Sequence, residues 1–122
     1  MQKAKIKPIL PSLREKKRYL AFEVLSKQKF ENYQQVADAI NYTALQFLGE
    51  LGYGNAGIRI MHDQWDAVKQ RGLIKVSHNH VNHMRTALMM INSIDNNEVI
   101  FRTVGISGIL KKARNRYVTK AG

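Results

Sequence analysis

Three histidines, His78, His80 and His83, are the side chains whose type and spacing come closest to a metal site. A zinc ion needs imidazole nitrogens that converge at about 2.1 Å, together with further ligands. The chain has no cysteine and no H-E-x-x-H pattern, so the commonest zinc signatures are missing. The sequence favours polar residues at the start of a helix over a metal site. A small metal-assisted hydrolase built on these histidines is the alternative.

Motifs for nucleophilic or phosphate chemistry are equally weak. Ser107 lies in a G-I-S-G sequence rather than in the G-x-S-x-G turn of a hydrolase nucleophile, and a capping role at the start of a helix explains it. The glycines at residues 49–57 are not followed by the Lys-Ser/Thr pair of a phosphate-binding loop. The residues therefore support no hydrolytic centre in this chain.

Positive charge is concentrated at the two ends of the 122-residue chain, whose formal net charge is +11. Residues 1–18 and residues 102–122 each carry a net charge of +6, and the residues between them sum to −1. This separation predicts a polyanionic partner, nucleic acid above all, contacted through its phosphates. The predicted RNA-contacting residues are Arg14, Lys16, Lys17, Arg18, Arg102, Lys111, Lys112, Arg114 and Arg116. No apolar run approaches the roughly 18 residues of a membrane span, so a cytoplasmic protein is expected.

A single domain is expected to position these residues, because the chain has the length of one domain. Both prolines lie in residues 1–11, which predicts an extended basic arm before a folded part at 12–118 and a tail at 119–122. Apolar residues alternate in some segments and recur at helical spacing in others. The predicted elements are a short basic helical turn from Ser12 to Arg18, strands at 19–26, 56–62, 72–77 and 98–104, helices at 32–51 and 79–94, and a basic amphipathic helix from Ser107.

The central elements follow the order β-α-β-β-α-β, with an added helix at each end. Right-handed crossovers place both long helices on one face of a four-stranded sheet, which predicts a ferredoxin-like or RRM-like α/β sandwich. An RRM stacks RNA bases on aromatic residues of its central strands. Leu73 and Lys75 stand at those positions here, so base stacking is not expected.

Two surfaces are candidates for protein partners. The second face of the sheet is left to solvent, to the end helices or to a partner, and its candidate contact residues are Tyr19, Leu73 and Phe101. A glycine-rich loop at residues 52–57, which includes Gly52 and Gly54, is a candidate for self-association. The assignment of faces rests on alternation along the strands, and a shift by one residue exchanges them.

Two longer stretches carry a family resemblance. They are residues 10–24 (LPSLREKKRYLAFEV) and residues 99–111 (VIFRTVGISGILK). The first resembles the opening of the archaeal ribonuclease P protein component 2 family, and the second resembles its closing strand and helix. Asn79-His80-Val81, followed by Arg85, is similar to the second long helix of that family.

The resemblance implies a subunit of ribonuclease P, the endonuclease that removes 5′ leaders from precursor tRNA. In that family the RNA is the catalyst and uses Mg²⁺, so the protein is expected to bind no cofactor and to supply no catalytic residue. The implied partners are ribonuclease P RNA, precursor tRNA and ribonuclease P protein component 3, in a paired heterotetramer. A ribosomal-type scaffold that binds structured RNA without supporting cleavage is the alternative.

Overall fold

The computed structural model describes residues 16–118, which form a mixture of strands and helices. Strand β1 (Lys17–Leu25) is followed by helix α1 (Tyr33–Ala56), strands β2 (Arg59–Ile60) and β3 (Arg71–Ser77), and helix α2 (Val81–Met89). A hairpin of β4 (Ser93–Ile94) and β5 (Asn97–Glu98) leads to β6 (Ile100–Ser107) and to helix α3 (Leu110–Ala113), which continues as a π-helical turn over Arg114–Val118. Single 3₁₀ turns occupy His62–Gln64 and His78–His80.

The main sheet has the strand order β2-β3-β1-β6, and each neighbouring pair is antiparallel. Helix α1 connects β1 to β2 across the sheet, and α2 connects β3 towards β6. The predicted ferredoxin-like sandwich is therefore confirmed. The hairpin of β4 and β5 is an addition to it, in the place where the sequence predicts only a turn.

The hydrophobic core lies between the sheet and the two long helices. Leu20, Phe22 and Val24 of β1 point to this side and are at most 3% exposed, because alternate residues of a strand share a face. They belong to one buried cluster with residues of both helices, including Val36, Ile40, Met84 and Leu88. None of the helices within residues 16–118 is long and apolar enough to span a membrane.

Helix α1 is longer than the sequence predicts. It begins after Asn32, whose side-chain oxygen accepts a hydrogen bond of 2.8 Å from the Gln34 N–H, as helix-capping residues do. It kinks at Gly49 (φ 76°) and ends at Gly57 (φ 59°), and glycine tolerates these left-handed conformations. Gly52 and Gly54 therefore lie in the helix after the kink, and the predicted loop at residues 52–57 is wrong for all but its last position.

The second face of the sheet is covered by the C-terminal segment. Leu73 is fully buried there in a cluster with Ala21, Ala113 and Val118, and Tyr19 packs against its edge. Phe101 is on the opposite side, because it pairs with Val24 and its ring lies 5.8 Å from that of Phe22. Of the three occupants expected for this face, solvent, the end helices or a partner, the structure shows the C-terminal helical segment. Leu73 and Phe101 are wrong as partner contacts, since both are buried within the chain itself, whereas Tyr19 stays a prediction.

Some predicted boundaries also differ from the structure. Lys17 and Arg18 belong to β1 rather than to a helical turn, because they pair with Ser77 and Val76 of β3. Helix α2 ends at Met89 instead of continuing to residue 94, because Ser93 and Ile94 pair with Glu98 and Asn97 in the hairpin. The predicted arm at residues 1–11, the turn residues 12–15 with Arg14, and the tail at 119–122 lie outside the described residues.

An aromatic cluster fills one end of the core. The Tyr33 and Trp65 rings stack with centroids 4.9 Å apart, and the Phe22 ring lies 6.3 Å from that of Trp65. The Tyr33 hydroxyl is buried and has no hydrogen-bond partner among the described residues. Burial raises the pKa of this hydroxyl well above its usual range.

We expect the substitution Tyr33→Phe to raise the free energy of unfolding by about 1 kcal/mol, because it removes a buried polar atom that lacks a partner. The raised pKa disfavours ionisation in the folded state only, so the wild-type chain should lose stability above about pH 10, where the unfolded tyrosine ionises. Urea unfolding at neutral and alkaline pH measures both effects. If the wild-type chain and the Tyr33→Phe variant had equal stability at every pH, both predictions would be contradicted.

Candidate nucleic-acid interface

The first basic cluster lies at the start of β1. Lys16 is exposed, and its carbonyl accepts a hydrogen bond of 2.8 Å from the His78 N–H at the end of β3. Lys17 lies against the C-terminal end of α1, where a Cβ on Gly57 would be only 2.9 Å from its Nζ. The negative end of a helix dipole favours a cation at such a position. Arg18 folds back and donates a 3.0 Å hydrogen bond to the carbonyl of Lys17.

The second basic cluster begins beside the first. Tyr19 of β1 pairs with Ser107, the last residue of β6, so the chain enters α3 next to the start of β1. A Cβ on Gly108 would lie 3.6 Å from Nη1 of Arg18, and Lys111 and Lys112 follow within the next four residues. Both lysines are exposed. The two clusters therefore share one end of the sheet, and we call Lys16, Lys17, Arg18, Lys111 and Lys112 the basic end.

Two further cations extend the basic end across the sheet. Lys75 pairs with Tyr19, and its Nζ lies 6.0 Å from the centre of the Tyr19 ring. Arg59 of β2 pairs with Lys75 in turn and is exposed. The sequence does not predict that Lys75 and Arg59 contact RNA, because each is an isolated basic residue in the middle of the chain. Only the pairing of the strands places them beside the basic end.

Arg14 lies outside the described residues, and the other three predicted cations lie away from the basic end. Arg102 is near the other end of β6, where its Nε and Nη2 donate hydrogen bonds of 3.0 and 2.6 Å to Oε1 of Glu23. Arg114 and Arg116 lie in the π-helical turn that leads away from the basic end. That turn reaches β3, because Nη1 of Arg71 donates a 2.9 Å hydrogen bond to the carbonyl of Tyr117. The structure thus joins five of the nine predicted residues into one surface.

His80 and His83 are neighbours in the structure. The His80 and His83 rings lie with centroids 5.6 Å apart, and His78 is exposed in the preceding 3₁₀ turn. Between residues 16 and 118 no group of three or more His, Cys, Asp or Glu side chains is placed to hold a metal ion. Ser107 accepts a 3.1 Å hydrogen bond from the Ile109 N–H, so it caps the turn before α3.

Comparison with known proteins assigns the chain to a family. The model of the Rpp14/Pop5 family matches residues 18–118. The chain is similar to ribonuclease P protein component 2 of Thermococcus kodakarensis, with 34% identity over 97% of this chain and 96% of that protein. It has the same identity to ribonuclease P protein component 2 of Pyrococcus furiosus, over 95% of this chain and 94% of that protein.

A solved structure shares the fold. A chain in the cryo-EM structure of yeast ribonuclease MRP superposes with a TM-score of 0.59, and the match covers 83% of this chain and 85% of that one. The sequence identity of the pair is 12%, so this likeness concerns the arrangement of strands and helices alone.

Proposed function

The chain belongs to the Rpp14/Pop5 family and is a ribonuclease P protein subunit, and from this premise we propose that it holds the catalytic RNA through the basic end during removal of 5′ leaders from precursor tRNA. One observation carries the proposal: residues far apart in the sequence, Lys16–Arg18 and Lys111–Lys112, meet at one end of the sheet. A cluster of like charges of this kind binds phosphates without reading bases. The basic end would therefore neutralise phosphates where RNA helices approach one another.

We assign the hydrolytic step to the RNA and its Mg²⁺ ions, with no catalytic residue in this chain. The family resemblance of residues 10–24 and 99–111 supports this assignment. In the structure Ser107 caps a turn, which is the role that the sequence also gives it.

Ribonuclease P protein component 3 and a second copy of this chain are the proposed protein partners, in a cytoplasmic heterotetramer. Helix α1 is suited to such contacts, because its 24 residues contain no Lys or Arg. Its exposed residues include Tyr42 and Leu51, which are 67% and 79% exposed. Gly52 and Gly54 lie on the same helix, so the sequence-based prediction of self-association through them stays a prediction for this surface.

The decisive experiment is a native purification of the tagged chain, followed by an assay for removal of a precursor tRNA leader with and without nuclease pretreatment. We expect cleavage that nuclease abolishes and that returns when ribonuclease P RNA and Mg²⁺ are added back. Cleavage that survives nuclease would place the catalytic centre in protein. An eluate with intact RNA but no leader removal would favour the ribosomal-type scaffold instead.

A further inference from the structure

A cavity of about 540 Å³ opens at the end of the sheet opposite to the basic end. Its walls are the last residues of β1, the loop that follows them and the connection from β2 to β3. A volume of this size is typical of small-ligand sites. Four charged side chains line it: Lys29, Lys69, Arg71 and Glu23. Three cations against one carboxylate leave a positive excess in the lining.

Lys29 is held across this cavity. Its Nζ donates a 3.1 Å hydrogen bond to the carbonyl of Val68, on the opposite wall. An ammonium group carries three protons for hydrogen bonding, so this bond fixes the position of the charge and leaves donors for a ligand.

The carboxylate of Glu23 is already paired with a cation that lies outside the cavity. Oε1 of Glu23 accepts two hydrogen bonds from Arg102, a residue that does not line the cavity. Arg71 lies on the other side of Glu23, with Nε 3.6 Å from Oε2. That Nε is buried and has no hydrogen-bond partner among residues 16–118, although Nη1 of the same guanidinium is bonded to Tyr117. A buried donor without an acceptor is costly, and an anion would supply the acceptor.

We propose that this cavity binds a phosphate group, either the phosphodiester of an RNA segment or a free phosphate ion. Guanidinium and ammonium donors around one space are the usual ligands of phosphate oxygens. Strand β1 runs from Lys17 in the basic end to Leu25 in the cavity lining, so the two sites lie roughly 25 Å apart. A phosphodiester bound here would therefore belong to a different RNA segment from the one at the basic end, and the chain would hold the two segments at a fixed separation.

The first test uses the full-length chain alone with inorganic phosphate, so it does not depend on the ribonuclease P role. In a nuclear magnetic resonance titration against chloride of equal ionic strength, the amide signals of Lys29 and Arg71 should shift and saturate. Lys29→Gln should weaken the response at least fivefold, and Lys29→Arg should retain it. The matched control is Lys27→Gln, which removes an exposed lysine two residues away that does not line the cavity.

The second test separates the two sources of phosphate. If the ligand is an RNA phosphodiester, Lys29→Gln should lower the affinity for ribonuclease P RNA about five- to eightfold at 0.1 M salt, and reduce the slope of log affinity against log salt by about 0.7–0.9. An unchanged RNA affinity with a lost phosphate response would support free phosphate. The proposal is overturned if phosphate gives no saturable shift and if Lys29→Gln binds RNA as Lys27→Gln does.

Discussion

The double substitution of Lys111 and Lys112 by glutamine is expected to lower the affinity for ribonuclease P RNA about 25- to 60-fold at 0.1 M salt. Each lysine that neutralises a phosphate releases condensed counterions, so each loss changes the slope of log affinity against log salt by about 0.7–0.9. Both side chains are exposed, and glutamine is a good helix former, so the fold should be unaffected. Filter binding between 50 and 200 mM salt measures the affinity and the slope together.

The control pair for this experiment is Lys27→Gln with Arg85→Gln. Both residues are exposed and lie outside the basic end, and the change in net charge is the same. If the basic end is one surface, adding Lys16→Gln to the double variant should cost a further five- to eightfold. Equal loss of affinity in the control pair would mean that net charge, and not the basic end, governs RNA binding.

The basic end could be predicted in part because charge is a property of composition. The sequence identifies both clusters, since residues 1–18 and 102–122 hold the whole of the positive excess. It cannot show that they meet, because this depends on the pairing of Tyr19 with Ser107 across strands distant in the chain. The position of Arg59 could not be predicted for the same reason. Its strand has only two residues, so it shows almost no alternation of apolar and polar residues.

The strand order could be predicted from the order of elements, whereas the assignment of sheet faces was only partly right. Alternation places Leu20, Phe22 and Val24 correctly on one side of β1. Along β6 the alternation of faces is interrupted, because Ala21 and Phe22 of β1 pair with Gly105 and Thr103, which leaves Val104 as an extra residue. Simple alternation therefore places Phe101 on the wrong face. The burial of Leu73 depends on long-range contacts with the C-terminal segment, which the alternation of residues within a strand does not predict.

The packing of the C-terminal segment on the second face of the sheet depends most directly on Gly105. A Cβ at this position would overlap the ring of Tyr117, so the absence of a side chain lets the ring lie directly on β6. We expect Gly105→Ala to lower the free energy of unfolding by about 1–3 kcal/mol, the usual range for overpacking. The displaced segment would also expose the buried Leu73 and Ala21, which a dye for apolar surface would detect.

A double-mutant cycle with Tyr117→Ala separates this steric effect from a general intolerance of β6 to substitution. Without the ring, the added methyl group has room, so Gly105→Ala should be nearly neutral in the Tyr117→Ala background. Gly54→Ala is the matched control, because Gly54 is helical with open space around it and should gain up to about 1 kcal/mol. An equal loss of stability in both backgrounds would refute the role of the Tyr117 ring.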